Sequence, residues 1–172
     1  MKKIVLLATA LLLMISCTQQ ADTGDKDVDE VGKQNVELIK KWAEALNNED
    51  IETLRELYST ELVSIGPQYD HEWPYDTLNS TEKMFQNTDS LKVDILIMLP
   101  KTVEEGDLAG DWVLVWADIS WYNIKAEKKV QIMWHSPMRI EEGKIVYEVA
   151  YYNQWDMYKQ MGAKLEWPDD ED

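Results

Sequence analysis

The order of elements predicts an α+β domain: two helices, a short strand, a third helix, then a four-strand meander that makes a curved mixed or antiparallel sheet wrapped over the N-terminal helices. Three observations carry this expectation. Leu38, Ile39, Trp42, Ala45 and Leu46 recur at helical spacing near the start. Between Leu91 and Ile140, three apolar and β-branched stretches are separated by turn signals. Finally, Gly143 to Gln154 reads as a turn followed by a β-branched and aromatic run, a last central strand reached through a tight hairpin at Glu141-Glu142-Gly143.

Taken in order, residues 1–16 begin with Lys2 and Lys3, continue through the apolar run Ile4 to Ile15, and end on Ser16 before Cys17. The run is short for a bilayer span, and a basic front with a small residue at its end is a secretion-signal pattern. Leu13-Met14-Ile15-Ser16-Cys17 resembles the bacterial lipobox, with Met14 where that motif usually has leucine. The resemblance implies a signal peptide over 1–16, lipid on Cys17, and an address in the bacterial cell envelope, with the outer membrane expected. Cys17 is the only cysteine, so no disulfide forms within the chain. Residues 17–31 are expected to be a flexible acidic tether, 32–165 the domain, and 166–172 a disordered acidic tail. The formal net charge of −16 argues against nucleic acid and anionic head groups as partners.

Asn47-Asn48-Glu49-Asp50 stops the first helix, which spans Gly32 to Asn47, and opens a second with Ile51, Leu54, Leu57 and Tyr58 on its buried side. The chain turns extended at Ser59-Thr60, and Gly66-Pro67 ends a strand over Glu61 to Ile65. Gln68 to Leu78 reads as an irregular loop holding Tyr69, Asp70, His71, Glu72, Trp73, Tyr75 and Asp76. Asn79 with Glu82 has the form of a capping box for a short helix ending near Asn87. Strands follow at Leu91 to Val103, Asp111 to Tyr122 and Lys128 to Ile140. After the final strand, Asn153 with Asp156 caps a helix bearing Trp155, Tyr158 and Met161, which Gly162 ends.

The run Trp42 to Tyr58, followed by Val63 and Pro67, and the ending Arg139 to Ile145 with Tyr151-Tyr152-Asn153-Gln154, resemble the SnoaL-like branch of the nuclear transport factor two superfamily. The resemblance implies a cone-shaped sheet with a pocket between its concave face and the helices, in a family where dimers are common. Ketosteroid isomerases of that superfamily use a tyrosine on the first helix, an aspartate base at the end of the first strand, and a protonated aspartate on the third meander strand. At the matching positions this chain has Trp42, Gly66 and Ser136, so that constellation is absent.

Strand alternation puts Val130, Ile132, Trp134, Ser136, Met138 and Ile140 on one face, and Gln131, Met133, His135 and Arg139 on the other. Carried through the turn by the resemblance, the register adds Val146, Glu148, Ala150 and Tyr152 to the first, concave set. The expected ligand pocket therefore comprises Trp42, Tyr58, Trp73, Trp134, Ser136, Met138, Glu148 and Tyr152. A carboxylate at Glu148 on an apolar face would have a raised pKa and suit acid–base chemistry or a polar ligand contact; at an open rim it would be solvated or paired with a lysine. Asp118 is the other catalytic candidate. Both faces of its strand are apolar, and the parity of the Asn123 to Glu127 turn decides which way it points. His135 is expected to face outward, and the apolar outer face, with Tyr147, Val149 and Tyr151, is expected to meet a second copy of the chain.

His71 and His135 are the only histidines, so no metal-ligand spacing exists and neither metal nor cofactor is expected. His71 beside Asp70 reads as a solvated loop pair. No phosphate loop or nucleophile elbow occurs. Three functions fit these residues. The first is a lipid-anchored envelope protein binding a small, largely apolar molecule, with no identified reaction. The second is an isomerase, dehydratase or cyclase using Glu148 or Asp118 with Tyr152. The third is an interaction module whose pocket is filled by its own side chains.

Overall fold

The computed structural model describes residues 30–68, 72–73 and 77–166. The signal sequence, Cys17, most of the tether, the Asp70 and His71 pair, the side chain of Trp73 and nearly all of the tail lie outside them.

Helix α1 (Glu30–Asn47) buries Asn35, Ile39, Trp42, Ala43, Ala45 and Leu46. It starts earlier than expected, so Glu30 and Val31 belong to the helix and not to the tether. A left-handed Glu49 (φ 54°) turns the chain into α2 (Ile51–Leu57), where the Asp50 carboxylate accepts from the Thr53 amide at 3.0 Å. Tyr58 already opens β1 (Tyr58–Ile65). Inside the expected loop lies a short β2 (Glu72–Trp73), antiparallel to the end of β1. Helix α3 (Thr77–Asn87) begins before Asn79, which sits within its first turn and not at its cap, while Glu82 accepts from Arg55 of α2 at 3.2 Å. The meander then runs through β3 (Thr88–Val103), β4 (Gly110–Asn123), β5 (Lys128–Glu141) and β6 (Lys144–Val149), and α4 (Gln154–Gln160) closes the fold. Asn153 caps α4 by accepting from the Asp156 amide at 3.0 Å.

The sheet order is β2-β1-β6-β5-β4-β3, with β1 and β6 parallel and the other neighbours antiparallel. The expected α+β class with a mixed sheet over N-terminal helices is therefore the observed one. Strand β6, nearly last in the chain, lies in the middle. It is reached by a two-residue hairpin in which Glu142 (φ 50°) and Gly143 (φ 73°) both take positive φ, the geometry that matches strand twist.

Two registers decide the site. Asn123 pairs with Lys128, leaving an even four-residue connection, and Asp118 falls opposite Met133. Met133 is 77% exposed on the outer face, so Asp118 points away from the pocket and drops out as a pocket acid. On β6, Arg139 pairs with Tyr147 but Ile140 pairs with Ile145, so Val146 is the extra residue of a β-bulge. Ile145 takes the fully buried place expected for Val146, and beyond the bulge Glu148 faces inward opposite Met138.

The core fills the space between α1, α2 and the concave face, with Ile39, Leu54, Val113, Val115, Met138 and Ile145 wholly buried. On the outer face, as expected, His135 is stacked between Trp116 (4.3 Å) and Tyr151 (5.9 Å), and its Nδ1 lies 2.9 Å from the Val115 carbonyl. Ile97, Leu99, Met133 and Tyr151 of that face are exposed in the single chain.

Candidate functional site

The inner face carries a buried polar chain among apolar neighbours. Trp42 lies on the buried stripe of α1, and its Nε1–H donates to the Tyr58 hydroxyl at 2.8 Å. Tyr58 stands where α2 ends and β1 begins, and its hydroxyl neighbours the Glu148 carboxyl closely enough to act on it as a donor that lowers its pKa. The parallel register sets Ser64 beside Glu148, and Ser64 Oγ donates to Glu148 Oε1 at 2.8 Å. Indole is a donor only, so the Tyr58 oxygen must accept from Trp42, and its own proton is left for Glu148. Relative exposure is 4% for Trp42, 7% for Tyr58 and 9% for both Ser64 and Glu148.

Burial pushes the Glu148 pKa up, opposed by the hydrogen bonds from Ser64 and Tyr58. Burial, and then the neighbouring carboxylate, push Tyr58 well above the usual phenol value, so it stays a neutral donor. Among the described residues, no Lys, Arg or His forms an ion pair with Glu148. No group of three or more potential metal ligands occurs among them either.

Nearer the rim lies a cavity of about 500 Å³ between the sheet, α3 and α4, walled by Leu91, Ile119, Ile132, Trp134, Met157 and Met161. Of the pocket residues expected from sequence, Trp134 and Tyr152 line it. Trp42 stacks on Trp134 at 5.6 Å and 18°. Tyr58, Ser136, Met138 and Glu148 lie deeper and do not line this cavity, while Trp73 is placed only by its backbone, paired with Ser64. Sequence reasoning missed Ser64, Leu91, Met157 and Met161. Met161 was named only as a helix residue beside Trp155 and Tyr158, which are exposed; Met157, four residues before it, would have marked the cavity-facing side of α4 and its C-cap.

No family model matches the chain, and no curated protein matches it. Solved structures do. A candidate SnoaL-like polyketide cyclase from Jannaschia sp. CCS1 is 16% identical with TM-score 0.65, over 81% of this chain and 99% of that one. An LEH-like epoxide hydrolase from M. tuberculosis is 18% identical with TM-score 0.58, over 75% and 90%. A hypothetical protein with a ketosteroid isomerase-like fold from Catenulispora acidiphila DSM 44928, solved in complex with trimethylamine, is 16% identical with TM-score 0.61, over 77% and 97%. The chain therefore has the nuclear transport factor two-like fold implied by its two ends. Identities this low carry the fold alone, and a fold this versatile leaves function to the site.

Proposed function

We propose that this domain binds a small, largely apolar molecule in the cavity beneath α4, on a protein held to a bacterial envelope membrane by lipid on Cys17. The observation that carries the binding reading is the cavity itself, about 500 Å³ with mostly apolar walls, within the roughly 300–1,000 Å³ typical of ligand sites. Such open space also counts against a pocket filled by its own side chains. Ile132→Trp and Met161→Trp place an indole in that space. Each is expected to weaken uptake of a neutral polarity-sensitive dye by about tenfold or more, equivalent to about 1.4 kcal/mol. Undiminished dye binding by both folded variants would sink the reading.

The address rests on residues 1–17. With Cys17→Ala, unprocessed precursor or a soluble secreted product is expected in place of a detergent-phase protein; unchanged partitioning in a detergent phase-separation assay would end the anchor proposal. No helix among the described residues is long and apolar enough to cross a membrane.

A second reading, a proton-transfer enzyme of isomerase, dehydratase or cyclase type, is favoured by Glu148, the one of the two candidate carboxyls that faces inward. Its raised pKa and two hydroxyl neighbours suit a general acid or base. Glu148→Gln keeps the shape and is expected to abolish hydrogen exchange from any carbon acid that the wild type deprotonates; retained exchange excludes this role.

A further inference from the structure

We propose that the ligand is an organic ammonium ion, its cationic head drawn down from the cavity to the Glu148 carboxylate along the rings of Trp42, Tyr58 and Trp134. This deepens the binding reading above and rests on it.

The first ground is the charge left unbalanced. Glu148 is buried with two neutral hydroxyl partners and, among the described residues, no cationic one. A buried carboxylate is costly unless a cation or full hydrogen bonding offsets its lost hydration. The wiring favours the charged form, since Trp42 forces Tyr58 to aim its proton at Glu148 and Ser64 donates from the other side. Two donors leave part of the carboxylate's accepting capacity unused, and a ligand cation fits what remains.

The second ground is the surroundings. Trp42 and Trp134 stack on each other, which leaves the part of Trp134 that lines the cavity, with Tyr58 beside the carboxyl, to attract a desolvated cation. The side chains between the cavity and the carboxyl are also small. Between the Met138 to Glu148 pair and the bridge from His135 to Tyr151 lie Ser136 and Ala150, and the Ala150 amide bonds to the Ile65 carbonyl next to Gly66. Small residues thus occupy the rung that separates the cavity walls at Trp134 and Tyr152 from the carboxyl. The chain's net charge of −16 favours cations and disfavours anionic ligands.

On the inward faces of α1, α2, β1 and β5, Tyr58 is the only other titratable side chain among the described residues, while Lys83 of α3 and Tyr152 line the cavity itself. Affinity for a fixed positive charge should therefore rise with pH as Glu148 ionises.

The probes are benzyltrimethylammonium, whose charge does not titrate, and its uncharged carbon isostere neopentylbenzene, each competing with a neutral dye seated in the cavity. The wild type is expected to prefer the ammonium by about tenfold, within reach of a desolvated cation between aromatic rings and a carboxylate. That preference should grow between pH 5 and pH 8, vanish in Glu148→Gln, and persist in Ser64→Ala, which keeps the charge. Equal displacement of the dye by both probes, or a preference that survives Glu148→Gln, overturns the ammonium assignment and leaves the apolar site standing. Failure of the wild type to take up the dye or either probe overturns both. If Glu148→Gln does not fold, the pH profile of the wild type with the two probes decides: a flat preference overturns the proposal.

Discussion

Tyr58→Phe is expected to lower the unfolding free energy by about 3 kcal/mol, although it removes one oxygen and leaves no cavity. The loss comes from both ends of its hydroxyl. Trp42 Nε1–H, bonded to that oxygen at 2.8 Å, becomes a buried donor without a partner. Glu148 loses one of its two hydroxyl donors. Each deficit costs about 1–3 kcal/mol when water cannot reach it. The sign of the pH dependence follows from Glu148. Its folded pKa is raised by burial, so the folded state binds the proton more tightly than the unfolded chain. Stability from this group is present below the unfolded glutamate pKa and is lost as pH rises through the folded value. Removing the Tyr58 donor raises the folded pKa further, so the variant should lose more at pH 7 than at pH 4. Urea unfolding at the two pH values measures this. Adding Trp42→Phe should recover part of the loss, because deleting both partners costs less than orphaning one. A loss below about 1 kcal/mol would mean that water replaces the phenol.

Ile145→Ala is expected to cost about 2–5 kcal/mol, whereas Val146→Ala next to it should cost under about 1 kcal/mol. Ile145 is wholly buried, paired with Ile140 on one side and Tyr58 on the other. Val146 is the extra residue of the bulge and only half-buried. Plain alternation backward from Glu148 predicts the reverse order. Parallel urea melts of the two variants decide between these registers, and equal costs would argue against a bulge at this point.

The same pair marks where the sequence stops being legible. Helix stripes, the meander and the Glu142-Gly143 turn follow from local periodicity and backbone preference, and all were readable. The face of Asp118 was not, because it depends on the length of the connection after β4, which composition does not set. Val146 was misplaced because a bulge shifts the alternation by one residue without any glycine to announce it. Glu148 and Tyr58 were both named as pocket residues, yet the partnership of Ser64 with Glu148 stayed hidden. It spans 84 residues of sequence and exists only because β1 and β6 lie parallel, which neither strand declares alone.

That central seat of β6 also fixes an order of assembly. As the chain leaves the ribosome, α1, α2, β1 and the hairpins of β3 to β5 are complete while the space between β1 and β5 is still empty. Two bare strand edges then face each other, and each can pair with a neighbouring nascent chain as readily as with its own. Only when residues 144–149 slide between them are both edges covered at once, and in the same step the Tyr58 and Ser64 hydroxyls meet their carboxyl. Closure of the sheet and completion of the site are thus one late event, set by sequence-distant pairing of the kind that folds slowly. A chain released before Lys144 would carry every helix but α4 and yet have neither a closed sheet nor a site.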